Sequence, residues 1–96
     1  MLQFSINKKP ADYEQEIAAR HKAVRKQLKY SQSELASRSG VSLGSLKRFE
    51  TTGKISLESL LKMTDVLNRL EDFDVIFKPK ENLAAIEKLF SDKTRK

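Results

Sequence analysis

Residues 31–53 read SQSELASRSGVSLGSLKRFETTG, and no other stretch constrains the fold as strongly. Two short apolar-patterned segments are separated by a single tight turn. Ser31 opens the first, with Glu34 three residues on, which is the signature of a capping box. Gly40 stops that segment, as a left-handed C-cap glycine would. Ser42 can cap the second segment through its hydroxyl. The layout is helix, glycine turn, short helix.

Periodicity extends this pattern in both directions. Pro10 suits the first turn of a helix. Ile17, His21, Val24 and Leu28 then fall on one helical face, while Arg20, Lys22, Lys26 and Lys29 lie mostly off it, so the spacing predicts a helix over 11–28. The second helix is expected over 32–39, burying Leu35 and Ala36. The third is expected over 43–50, burying Leu46 and Phe49, with Thr51, Thr52 and Gly53 as a break. Ser56 caps a fourth helix, whose stripe is Leu57, Leu60, Leu61, Thr64, Val66 and Leu67 and whose end is Asn68. Leu70, Phe73, Val75, Ile76 and Phe77 form a fifth helical piece, cut off before Pro79.

The ends carry weaker patterns. Leu2, Phe4 and Ile6 alternate with polar residues and suggest a short strand, which must pair with a partner, such as its copy in a dimer, or stay loose. Leu83, Ile86, Leu89 and Phe90 suggest a last amphipathic helix before a polar, fraying end. The expected organisation is an arm or strand over 1–10, an all-α five-helix helix-turn-helix domain over 11–78, and a C-terminal helix with a basic tail over 79–96. The second helix of such a motif lies in a DNA major groove.

Composition narrows the function classes. The chain has 96 residues and a formal net charge of +6. That length suits one domain with a modest core, which gains stability from oligomerisation. The basic balance fits a polyanionic partner. Seven Lys/Arg against three Asp/Glu occupy residues 1–30, whereas residues 55–77 carry two basic and five acidic residues. One end of the domain can thus face phosphates while another is acidic. There is no cysteine and a single histidine, which argues against disulfides, thiolate metal sites and a zinc centre. No cofactor is expected. Glu71, Asp72 and Asp74 are spread around a helix and read as a solvated acidic face or partner surface. No apolar run has membrane-spanning length, and the N-terminus lacks the features of a leader. A cytoplasmic protein without membrane association is the expectation. Neither a glycine-rich phosphate loop nor a nucleophile–base constellation is present, so the chain is not expected to be an enzyme.

The register of these residues resembles the XRE, or lambda-repressor-like, family of helix-turn-helix regulators. Residues from about Ile17 to Leu67 carry the likeness. Arg25 sits where that family places a helix 1 arginine, Ser31 and Gln32 open helix 2, and Gly40, Val41 and Ser42 form the turn. Leu46, Lys47, Arg48, Phe49 and Glu50 end the recognition helix. A narrower likeness lies in GVSLGSLKRFETTGKISLESLLKM followed by LNRLEDFDVIF, which resembles the HipB-type antitoxins encoded beside HipA-like kinase toxins. One departure stands out. The family often has polar base-reading residues where this chain has Leu43 and Gly44. Leucine can touch a thymine methyl, but glycine reads nothing by side chain, and it weakens a helix by about 1 kcal/mol relative to alanine.

The resemblance implies roles that the residue chemistry supports. Gln32 can hydrogen-bond a phosphate oxygen at a helix N-terminus, where the dipole favours the same anion. Ser42 can cap and also donate to phosphate. Ser45 and Arg48 share the outward face with Gly44, and a guanidinium matches guanine O6 and N7 bidentately, which makes Arg48 the leading base reader. Lys47 and Lys54 suit phosphate, as do Lys8 and Lys9 on an N-terminal arm. Arg25 and Glu50 would form the family's ion pair, tying helix 1 to the end of helix 3. His21 reads as a packed or boundary histidine. Leu70, Phe73, Ile76 and Phe77 exceed what a small core needs and are candidates for dimer or partner contact. The implied function is a dimeric, sequence-specific repressor on a pseudo-palindromic operator in double-stranded DNA. It would be the antitoxin of a HipA-like kinase toxin that autoregulates its operon. The alternatives are a stand-alone XRE-type regulator and a protein-interaction module that has lost DNA binding.

Overall fold

The computed structural model describes residues 7–80 and residue 88. Among the described residues every regular element is helical: α1 (Pro10–Gln27), α2 (Gln32–Ser39), α3 (Leu43–Thr52), α4 (Leu57–Val66) and a 3-10 segment (Leu70–Val75). This is the five-helix, all-α helix-turn-helix architecture. The strand expected at Leu2, Phe4 and Ile6 and the helix expected at Leu83, Ile86, Leu89 and Phe90 lie outside the described residues.

Local chemistry sets most of the helix ends. The hydroxyls of Ser31, Ser42 and Ser56 accept from the backbone N–H groups of Glu34, Ser45 and Ser59, at 3.0, 3.1 and 3.1 Å. Each satisfies one orphan donor of a first helical turn. The reciprocal half of the Ser31 capping box is diverted, because the Glu34 carboxylate pairs with Arg38 at 3.3 Å. Gly40 and Gly53 stop α2 and α3 with φ of 76° and 83°, the left-handed region that glycine enters without a steric penalty.

Three boundaries depart from the pattern reading. The third helix runs on to Thr52 instead of breaking after Glu50. Thr51 and Thr52 direct their hydroxyls back to the carbonyls of Lys47 and Arg48 at 2.7–3.1 Å, a bond within the helix that lets threonine continue it. The fourth helix ends at Val66, and Asn68 turns left-handed at φ 62°. The fifth piece is a 3-10 turn that stops at Val75, leaving Ile76 and Phe77 beyond it.

The core is a single cluster of Ala18, Leu35, Ala36, Val41, Leu46, Phe49, Leu60, Met63 and Leu67. α1 packs chiefly on α3, while α2 packs on both α3 and α4. Ile17, Leu28 and Leu57, read as stripe residues from periodicity, are exposed. Among the described residues no element packs over the outer edges of the α1 and α4 stripes. Where α3 ends, Gly53 lies against the backbone of Glu14 in α1, so close that a Cβ on it would sit 2.9 Å from the Glu14 carbonyl carbon.

Candidate nucleic-acid interface

A buried polar clamp fixes the orientation of α3. The Arg25 guanidinium meets Glu50 bidentately, through Nε to Oε2 at 2.7 Å and Nη2 to Oε1 at 3.1 Å. Its Nη1 donates to the Tyr30 carbonyl at 2.7 Å. The Gln32 amide donates to Glu50 Oε1 at 2.9 Å. One carboxylate at the end of α3 is thereby tied to α1, to the α1–α2 loop and to the start of α2. The Arg25 and Glu50 side chains are 7% and 2% exposed, so their attraction acts with little solvent screening. Burial on its own would raise the Glu50 pKa. The hydrogen bonds from Arg25 and Gln32, with the positive charges of Arg25 and Lys22, outweigh it and hold the carboxyl below its usual 4.5. Glu50 is therefore a carboxylate at neutral pH and accepts from every partner named.

Gln32 has its amide turned onto Glu50, which is a different contact from the phosphate expected of it. The bond leaves the second amide N–H available and fixes where it points. Ser42 differs too. Its hydroxyl accepts from Ser45 N and donates to Ser45 Oγ at 2.9 Å, so its only proton is already given. Ser45 keeps its own proton and is the freer donor of the pair.

The outer face of α3 presents Gly44, Ser45, Lys47, Arg48, Thr51 and Thr52, all exposed. Among the described residues Lys47 and Arg48 make no ion pair, so both cations face solvent uncommitted. A shallow cavity of about 250 Å³ opens beside Arg48, lined by Ser45, Lys54, Ile55, Ser56 and Ser59 as well. The sequence reading took Ser56 only as a cap and passed over Ser59, and no one-dimensional pattern reports that α4 begins alongside Arg48. Leu43 is half-buried and packs against the core. That packing takes up part of its surface and leaves the rest at the start of α3. Gly44 has nothing within 4 Å of where a Cβ would lie, so no contact within the domain requires glycine there.

Of the peripheral lysines, Lys54 and Lys8 are paired through their side chains, whereas Lys9 is engaged only through its backbone. Lys54 pairs with Glu14 at 3.0 Å, bridging the loop after α3 to α1, but stays more than half exposed. Lys8 pairs with Glu16 at 2.7 Å and lies over the Tyr13 ring. Lys9 is the α1 N-cap, its N–H donating to Asp12 at 2.8 Å. Away from α3, Leu70, Val75 and Ile76 are exposed and Phe77 is 99% exposed at a φ of 61°. Phe73 instead turns inward onto the core, so it is only partly available as a contact residue. Asp72 is paired with Arg69 at 2.8 Å. No three His, Asp or Glu residues gather as a metal site among the described residues, and no described helix is long and apolar enough to cross a membrane.

Comparison with known proteins bears on the same segment. A family described as helix-turn-helix matches residues 22–73, more than half of the chain. That match begins within α1 and runs through all of α2, α3 and α4 into the 3-10 segment. No curated protein and no solved structure matches the chain significantly.

Proposed function

The chain belongs to the helix-turn-helix family of XRE-type DNA-binding regulators, and on that premise we propose that it is a sequence-specific repressor acting as a homodimer. The observation that carries this reading is the state of α3. Its inner face is locked by the Arg25–Glu50–Gln32 clamp, and its outer face offers the Lys47 and Arg48 cations without an ion pair among the described residues, beside the Ser45 hydroxyl. A rigid helix with free donors and cations is what major-groove readout needs. Arg48 reads a base edge, Ser45 and Lys47 contact base or backbone, and Gln32, Lys54 and the Ser56–Ser59 end of α4 approach phosphates. Leu43 packs partly on the core, so a leucine there has a structural use and is no sign that a reading surface has been lost.

A domain this small makes few phosphate contacts, and a dimer spanning successive major grooves roughly 34 Å apart raises both affinity and specificity. Leu70, Ile76 and Phe77 follow α4 in the chain, are exposed, and supply apolar surface for the dimer or a partner. The likeness of residues 40–63 and 67–77 to HipB-type antitoxins supports a finer reading: a HipA-like kinase toxin bound away from α3 while the dimer represses the shared operon.

The decisive experiment has two arms. Selection from a randomised duplex pool should return a pseudo-palindromic sequence whose affinity falls steeply with salt; equal binding to all duplexes sinks sequence-specific repression. Co-purification with the product of the adjacent reading frame should yield a kinase complex. A free dimer with no such partner makes the protein a stand-alone regulator.

A further inference from the structure

We propose that His21 is a positioning residue for α3, a neutral imidazole pinned in one tautomer by Thr64 so that its ring holds Phe49 in place. The consequence for DNA rests on the DNA-binding reading above; the hydrogen-bond assignment does not.

The tautomer follows from counting protons. Thr64 Oγ1 donates to the Leu60 carbonyl at 2.7 Å. A hydroxyl has one proton, so the contact of 3.2 Å between His21 Nε2 and Thr64 Oγ1 must use a lone pair of the oxygen, with Nε2–H donating. Nδ1 then bears the ring's lone pair. It is buried and has no hydrogen-bond partner among the described residues. Protonation would place a cation and a second N–H where no acceptor stands, which a buried site disfavours strongly. Burial accordingly lowers the His21 pKa from 6.5, with the Glu50 charge opposing and the Arg25 charge adding to the effect. The charged groups around the ring are Arg25 and Arg20 on α1, Glu50 on α3, Arg69 just before the 3-10 segment and Asp72 within it. α4 and its C-cap contribute Leu60, Thr64 and Leu67, none of which titrates.

The ring also meets Phe49 edge to face, with centroids 5.4 Å apart and planes at 78°. Phe49 is the buried anchor of α3 and lies between Arg48, which faces solvent, and Glu50, which closes the clamp. His21 therefore joins three helices: it belongs to α1, bonds α4 and packs on α3. An aliphatic residue would fill the same space without a directional bond. A buried polar bond selects one arrangement where apolar packing tolerates several. The clamp holds α3 by Glu50, and His21 holds it one residue earlier.

The test uses the full chain with Thr64→Ser, which keeps the hydroxyl, Thr64→Val, which keeps only the shape, and His21→Phe, which keeps only the aromatic contact. Nitrogen-15 NMR of the wild-type imidazole should show the Nε2–H tautomer and titration below 6.5; an Nδ1–H tautomer overturns the proposal. In Thr64→Val and His21→Phe, amide exchange in residues 46–53 should accelerate relative to α2, while Thr64→Ser matches wild type. Affinity per folded molecule for a duplex recovered from the randomised pool should fall about five- to tenfold in Thr64→Val, the size of one hydrogen bond's net contribution, and return in Thr64→Ser. A role in packing alone would lower stability and leave both the exchange ratio and the affinity per folded molecule unchanged, which overturns the proposal. Should wild type bind no duplex, the DNA-binding reading fails, and the exchange ratio with the tautomer decides the role of His21.

Discussion

Gly40 and Gly53 make a controlled pair. Both end a helix, and both sit at nearly the same backbone angle, φ of 76° and 83°. An alanine at either pays the left-handed penalty of an L-residue, about 1–2 kcal/mol. The surroundings differ. A Cβ at Gly40 meets nothing within 4 Å, whereas one at Gly53 lies 2.9 Å from both the carbonyl carbon and the Cβ of Glu14. Most of the opposing atoms are backbone, so no rotamer change relieves the overlap. α1 must move off α3, and overpacking of that kind adds about 1–3 kcal/mol. Gly40→Ala should therefore lose about 1–2 kcal/mol and Gly53→Ala about 2–5 kcal/mol. Urea unfolding of both variants with unchanged m-values gives the comparison directly. Equal losses would refute the close approach of α1 to the end of α3. A larger loss at Gly40 would reverse it.

Other outcomes follow from the clamp, the half-buried imidazole and the exposed face. Glu50→Ala should destabilise the fold by about 3–5 kcal/mol, because Arg25 is left charged and buried; a double-mutant cycle with Arg25→Ala that shows no coupling would remove the ion pair as a structural element. Acid should destabilise the protein in two steps. The neutral His21 contributes its full stability above 6.5 and loses it progressively as pH falls from 6.5 towards its depressed folded value, a step that His21→Phe should abolish in pH-dependent melts. Glu50 contributes above 4.5, and that share disappears as pH falls through its still lower folded pKa. Arg48→Ala should weaken operator binding by about 1–3 kcal/mol and relax selectivity at one base position, and Lys47→Ala should weaken all duplexes alike and reduce the salt slope by about one, both read by titration at several salt concentrations. Phe77→Asp should shift sedimentation equilibrium towards monomer, and an unchanged dimer would exclude the surface after α4 as its contact.

Serine caps and terminal glycines were legible because each acts within four residues: a hydroxyl needs only the N–H of the first turn, and a left-handed stop needs only a residue without a Cβ. Leu35, Leu46, Phe49 and Leu60 were legible because period 3.6 marks an inward face. The same period misplaced Ile17 and Leu57. A stripe records which face is apolar but not how far a neighbour reaches across it. The third helix outran its expected end because Thr51 and Thr52 bond backwards to carbonyls, an option that propensity averages away.

By itself the sequence determined a helix-turn-helix and its family, since both depend on short-range spacing of caps, turn and buried residues. Tertiary structure alone decided which polar side chains are free. Gln32 is held by Glu50, 18 residues away, Lys54 by Glu14, 40 away, and His21 by Thr64, 43 away. Hydrogen bonds and ion pairs act over about 3 Å in space whatever the separation along the chain. Only the packing of the helices therefore distinguishes a side chain engaged within the domain from one left, like Arg48, to meet a ligand.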